Sequence, residues 1–256
     1  MDAFTDRPFA GNPAAVCLLA ERRPPKWMQA VAAEMNLSET AFVTPTARGF
    51  GLRWFTPRTE VELCGHATLA AAHVLWSEGL APARGELSFR TRSGVLRARR
   101  SGEAIELDFP VRTPVPAKVP AALARALGVP LRAVARCADD LLVEVASAAR
   151  VRALAPDLLR LRALPVRGVV VTAVADERRV DFVSRFFAPR VGVDEDPVTG
   201  SAHCALAPYW AAKLGRTRLV GRQLSARGGQ VEVELAADRV LLRGGAVTIV
   251  RGELLR

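Results

Sequence analysis

Three scarcities narrow the role of this chain before any motif is considered. No apolar run approaches the roughly 18 residues that a membrane-crossing helix needs, although half of the 256 residues are hydrophobic. A helical membrane protein is excluded, and no membrane partner is expected. The four cysteines (Cys17, Cys64, Cys137, Cys204) lie far apart and none forms a Cys-x-x-Cys pair, so neither a disulfide framework nor a common zinc motif is written here. Reduced thiols, and no metal or other cofactor, are the expectation. Lysine is almost missing, with Lys26, Lys118 and Lys213 the only three among 36 basic residues.

The net charge of +10 would suit nucleic acid through counterion release, but the arginines are scattered and have acidic neighbours such as Glu103, Glu106 and Asp108. Arg97, Arg99 and Arg100 form the densest cluster. No aromatic residues are interleaved there for base stacking, and the alternation reads as the wet face of a strand. No nucleic-acid partner is expected. The acidic start Met1-Asp2-Ala3-Phe4-Thr5-Asp6 is unlike a secretory signal, so the expected location is cytoplasmic.

What is present is a repeat between the two halves. Arg53-Trp54-Phe55-Thr56-Pro57-Arg58 recurs as Arg185-Phe186-Phe187-Ala188-Pro189-Arg190. Twelve residues after Arg53 comes Gly65-His66-Ala67, and fifteen after Arg185 comes Gly200-Ser201-Ala202. Each Gly-x-Ala opens an apolar run, 67–76 and 202–212, rich in small side chains and apolar nearly all round, as in helices buried on every side. The simplest plan is two similar halves, each a sheet curled around one central helix. Pro208 should kink the second of these helices.

The remaining elements fit that plan. Residues 26–35 place Trp27, Met28, Val31, Ala32 and Met35 on one face of an outer helix, followed by a strand over 41–44. Strands at 86–92, 94–99 and 104–109 form a meander, the proline-rich stretch 110–120 crosses between halves, and 121–127 is a second outer helix closed by Gly128. Strands over 169–171 and 180–184 lead into the second copy, and short strands with glycine turns at 228–229 and 244–245 fill 219–254. The expected halves are 1–112 and 113–256, with the last strand free to pair back with the first half.

A strand, a loop and a glycine opening a buried helix point unpaired amides at something negative. Two such devices, at Gly65 and Gly200, suggest two anchoring points for a carboxylate and a developing oxyanion. Near them sit His66, Asp196, Ser201 and His203, with Cys64 and Cys204. Taken singly each also has a purely structural reading: His66 near a cap, Asp196 in a turn before Pro197, Ser201 as a cap. Glu39, amid Met35, Leu37, Ala41 and Phe42, is either a solvated turn carboxylate or a carboxyl whose pKa is raised by apolar surroundings, suited to proton transfer.

Asp2-Ala3-Phe4-Thr5 with Pro8 to Pro13, then Asn36-Leu37-Ser38-Glu39-Thr40, Cys64-Gly65-His66-Ala67-Thr68 and Glu195 to Cys204 together resemble the PhzF family of phenazine-biosynthesis-like isomerases, and the likeness extends to 223–229. The resemblance implies an α+β, diaminopimelate-epimerase-like fold of two pseudo-symmetric halves, assembled as a homodimer. It implies a cofactor-independent isomerase that moves a proton between carbons of a small carboxylate substrate of the dihydro-3-hydroxyanthranilate kind. Glu39 takes the place of the family's acid/base, His66, Asp196 and Ser201 hold the substrate, and the Gly65 and Gly200 amides bind its carboxylate. Related epimerases use two opposed cysteines. Cys64 stands at the first of those positions but no second cysteine is evident, which leaves a cysteine-based epimerase or racemase as an alternative, beside a non-catalytic carboxylate-binding protein.

Overall fold

Each copy of the Arg-aromatic-Phe motif lies at the end of a strand, and the two strands hold equivalent places in their sheets. In the computed structural model, which describes residues 1–82 and 85–255, the chain divides into two units: Met1–Asp108 with the segment from Arg243 onward, and Phe109–Leu242. Among the described residues no helix is long and apolar enough to cross a membrane.

The chain begins with β1 (Asp2–Ala3), β2 (Asn12–Leu18), α1 (Pro25–Met35), β3 (Glu39–Thr46), β4 (Gly49–Phe55), β5 (Glu60–Val61), α2 (Gly65–Ser77), β6 (Glu86–Thr91), β7 (Gly94–Ser101) and β8 (Ala104–Pro110). It continues with β9 (Val115–Pro116), α3 (Ala121–Leu127), β10 (Leu131–Cys137), β11 (Asp140–Val145), α4 (Ala148–Arg152), α5 (Leu158–Arg162), β12 (Gly168–Val174) and β13 (Phe182–Ala188). After a 3-10 turn at Pro189–Val191 come β14 (Val193–Asp196), α6 (Gly200–Leu214), β15 (Arg218–Gln223), β16 (Gly229–Ala236) and β17 (Arg239–Gly244). The last strand, β18 (Ala246–Val247), pairs with β1 in the first unit.

The two sheets are wired alike. In the first unit β2 and β3 pair in parallel across α1, β3 and β4 are antiparallel, and β4 takes β5 antiparallel and β6 parallel across α2; β6, β7 and β8 then form a meander. In the second unit β11 and β12 are parallel across α4 and α5, β12 and β13 antiparallel, and β13 takes β14 antiparallel and β15 parallel across α6, before β16 turns back on β15. The result is an α+β fold of two pseudo-symmetric, mostly antiparallel curled sheets, each with one helix at its centre.

Composition explains why α2 and α6 are the central helices. Ala67, Leu69, Ala70, Ala71, Ala72 and Leu75 of α2 are all fully buried, packed on β1, β2 and β3. Ala202, Ala205, Leu206 and Ala207 of α6 are buried in the same way, on β15 and β16. Helix α6 continues through Pro208. A proline removes the donor for the carbonyl four residues earlier; here that carbonyl, of Cys204, accepts instead from the Arg112 N–H at 3.1 Å. The crossover segment supplies the missing bond.

The outer helices cover the opposite faces. Met28 and Ala32 of α1, with Trp27 and Val31, pack on Phe42 and Phe55, and Phe42 meets the Trp27 and Phe55 rings edge-on at 6.2 and 5.5 Å. In the second unit Leu123, Leu127, Val151 and Leu161 lie against Val143, Val171 and Phe187. Arg97 and Arg99 of β7 point outward and pair with Glu86 and Glu106 on the neighbouring strands, as the wet-face reading requires.

The repeated motif has a repeated structural function. Arg53 Nε and Nη2 donate to the two oxygens of Glu60, both at 2.8 Å, and Arg185 does the same to Glu195 at 2.7 and 2.8 Å. Each guanidinium lies over the aromatic ring two residues on, Phe55 at 5.2 Å and Phe187 at 4.9 Å. In each unit the fork ties the long strand to the short one that leads into the central helix.

Candidate active site

Helix α1 stops at Asn36, whose left-handed backbone (φ 48°) closes the helix with its N–H on the Ala32 carbonyl at 3.1 Å. Three residues later β3 opens with Glu39, held in parallel register against Ala14 of β2. The other component comes from the start of α2, where Cys64 is the extended N-cap residue and Gly65 and His66 begin the first turn. Glu39 Oε2 and His66 Nε2 lie 3.0 Å apart, with the imidazole buried and the carboxylate 19% exposed. Cys64 Sγ sits 3.5 Å from His66 Nδ1 and 3.9 Å from Nε2, so the sulfur is nearly equidistant from the two ring nitrogens.

Burial pushes the Cys64 thiol up to about 11, and the nearby Glu39 carboxylate adds to the shift. For His66, burial alone would lower the pKa, but the neighbouring Cys64 and Glu39 outweigh it, and the imidazole is held well above its usual 6.5. Glu39 Oε2 and His66 Nε2 thus face each other within hydrogen-bond reach. Side-chain atoms of Glu39, Cys64 and His66 all lie within 4.8 Å of one another and are of the types that ligate metal. Binding a metal there would require both the thiol and the imidazolium to lose their protons.

In the second unit the matching segment is built differently. Asp196 ends β14, and its Oδ2 accepts from the Thr199 hydroxyl at 2.5 Å. Gln223, at the end of β15 and fully buried, accepts from the Thr199 N–H at 2.9 Å and donates to the Asp196 carbonyl at 2.7 Å. Ser225 Oγ donates to the Pro197 carbonyl at 2.8 Å. Together these bonds fix the loop that delivers Gly200 and Ser201 to the start of α6. Ser201 Oγ accepts from Arg167 Nη2 at 3.1 Å, and Arg167 is itself forked onto the buried Asp140, with Nε at 2.9 Å. Burial lowers the Arg167 pKa, but Asp140 and then Asp196 more than compensate, so the guanidinium stays charged.

Neither α2 nor α6 has a side-chain cap at its N-terminus. Thr199, the residue placed to cap α6, turns its hydroxyl to Asp196 instead. Gly65 and Gly200 are each the first residue of their helix, where backbone N–H groups have no intrahelical partner.

Of the residues singled out in the sequence, Glu39, Gly65 and His66 come together in the first unit, with Cys64 beside them. Asp196, Gly200 and Ser201 come together in the second. Arg167, Asp140 and Gln223 were not singled out individually; they act through other side chains and carry no local motif of their own. His203 and Cys204 are fully buried within α6.

His203 Nδ1–H donates to the Thr199 carbonyl at 2.8 Å, while Nε2 has no hydrogen-bond partner among the described residues. Gly221 lies against this ring and that of Phe182: a Cβ there would collide with the Phe182 ring and come within 3.1 Å of His203 Nε2. Burial pushes the His203 pKa down to about 4, so the ring is neutral and its Nδ1–H is the donor. Because the folded pKa lies below the unfolded 6.5, this neutral histidine contributes stability above pH 6.5 that is lost as pH falls toward 4. The expected loss is about 3 kcal/mol. Urea unfolding at a series of pH values checks this: the His203→Gln variant should lack this part of the acid slope, and parallel pH curves for the two proteins would contradict it.

Two pseudo-symmetric curled sheets around buried helices, with a glutamate and a histidine meeting at one helix start, are the architecture of the epimerase-like fold class. The sequence profile of the phenazine biosynthesis-like protein (PhzC-PhzF) family matches residues 1–252, and the chain belongs to that family. An uncharacterized isomerase of Halalkalibacterium halodurans is 50% identical over 256 residues, covering 100% of this chain and 97% of that protein. The crystal structure of a PhzF-family phenazine biosynthesis protein from Enterococcus faecalis superposes with a TM-score of 0.91 at 42% identity, covering 95% of this chain and 93% of that one. In fold alone the likeness reaches a probable proline racemase from Agrobacterium radiobacter, with a TM-score of 0.56 at 14% identity over 87% of this chain and 78% of that one.

Proposed function

We propose that this isomerase moves a proton between carbons of a small carboxylate substrate, of the dihydro-3-hydroxyanthranilate kind, without a cofactor and with Glu39 as acid/base. The observation that carries the reading is the 3.0 Å approach of Glu39 Oε2 to His66 Nε2 at the uncapped start of α2. A carboxylate that is partly accessible and hydrogen-bonded to a buried imidazolium can accept a proton from carbon. The imidazolium then holds it in place and offsets its charge. His66 and the Gly65 amide, with Asp196, Ser201 and the Gly200 amide, bind the substrate, and the free N–H groups of the two helix starts suit a carboxylate and an enolate-type oxygen. A homodimer in the cytoplasm is part of the same proposal.

The chemistry is checked by incubating the protein with cyclic and amino-acid carboxylates in deuterated water and following label at carbon by NMR. Carbon-bound deuterium with at least one cyclic carboxylate is the expected result. Absence of label from every carboxylate would count against proton transfer altogether.

Cys64 beside His66 favours a second reading, a cysteine-based epimerase. A thiol with a pKa of about 11 is a weak base at neutral pH, which places this reading behind the first. Full deuterium incorporation by Cys64→Ala would remove it, whereas sensitivity of turnover to iodoacetamide would support it.

A further inference from the structure

The second unit contains a cleft of about 450 Å³ lined by Arg136, Asp139, Pro165, Val166, Arg167, Arg190 and Val191. Its polar lining is dominated by three guanidinium groups, and their partners differ. Arg167 is committed to Asp140 and to Ser201 Oγ, and so links the cleft lining to the start of α6. Arg190 donates to the Leu164 carbonyl at 3.2 Å and has no carboxylate partner among the described residues. Arg136 is exposed on β10, and its guanidinium has neither a hydrogen bond nor an ion pair among them. The only other charge on the lining is Asp139, whose main-chain carbonyl receives the Arg167 N–H at 2.7 Å.

Arg136 and Arg190 thus share one cleft with no carboxylate partner for either guanidinium among the described residues. Guanidinium forks match the planar geometry of carboxylate and the oxygens of phosphate, and both groups retain donors for such a ligand. Pro165, Val166 and Val191 supply an apolar surface beside them, which suits a ligand with a small hydrocarbon body.

We propose that this cleft is a binding site for a small organic anion, with Arg136 and Arg190 donating directly to its carboxylate or phosphate group. Neither Arg136 nor Arg190 has a part in the proposed proton transfer, so the proposal stands or falls independently of the role given to Glu39.

Isothermal titration of the full chain with benzoate and with phenyl phosphate, at constant ionic strength, tests the site and tells the two oxyanions apart. Saturable one-to-one binding of at least one probe is expected, weakened about tenfold or more in an Arg136→Gln/Arg190→Gln double variant. An Arg23→Gln control, remote in sequence and exposed, should bind as the parent does. Both cleft arginines are exposed, so the variants should keep the parent's thermal midpoint, and each single variant reports on its own donor. Absence of saturable binding by the parent would overturn the proposal. So would undiminished binding by the double variant, or an equal loss in the Arg23→Gln control.

Discussion

Glu39→Gln should slow solvent deuterium incorporation and turnover by about 10²–10⁴-fold, the range that a positioned proton-transfer group contributes. Glutamine preserves the volume and a hydrogen-bonding oxygen at the position of Oε2, so the fold and the contact to His66 should persist. What it lacks is a basic carboxylate. The variant should therefore lose rate while keeping the parent's thermal midpoint and its far-UV spectrum. Near-parental label incorporation by Glu39→Gln would show that another group moves the proton. The His66 environment supplies a second readout: without the Glu39 charge the imidazole loses one of the two influences that raise it, and its NMR titration should move down in pH.

The second large effect concerns stability and lies in the repeated motif. Arg185 donates to both oxygens of Glu195 and also to the Val151 and Leu154 carbonyls, the latter at 2.7 Å, and its side chain is only 13% exposed. Replacing it with methionine strands a partly buried carboxylate and removes a donor from two carbonyls. The expected cost is about 3 kcal/mol. The corresponding Arg53→Met should cost about 1 kcal/mol, because Arg53 is 32% exposed and Glu60 keeps a second partner in Arg92 at 3.0 Å. Urea midpoints of the two variants measure the difference. Adding Glu195→Leu to Arg185→Met should recover part of the loss, since the stranded charge disappears with its partner. Equal costs at the two positions would mean that the extra carbonyl bonds of Arg185 contribute nothing.

Much of the architecture is written as pattern. Small apolar side chains all round 67–76 and 202–212 announce helices with no wet face, and the structure buries both. The proline pair before 26–35 and the glycine after 121–127 mark helix ends that the backbone confirms, with Gly128 left-handed at φ 66°. The hairpin of β10 and β11 gave no comparable signal. Every residue of Asp140–Val145 is buried, so the alternation that betrays a half-buried strand is missing there. Pro208 is a related case: the local rule demands a kink, and the compensating Arg112 N–H comes from a segment 92 or more residues earlier in the chain.

The site divides along the same line. The repeated strand, glycine and helix, and the presence of a glutamate just past the first outer helix, are local features set by backbone preferences and by the periodicity of buried side chains, which neighbouring residues alone can specify. That Glu39 meets His66, that Gln223 holds the Thr199 loop, and that Arg167 links Asp140 to Ser201 depend on contacts between residues 24 to 34 positions apart. Their protonation states depend on burial and on nearby charge, quantities that exist only once the sheets have curled around their helices.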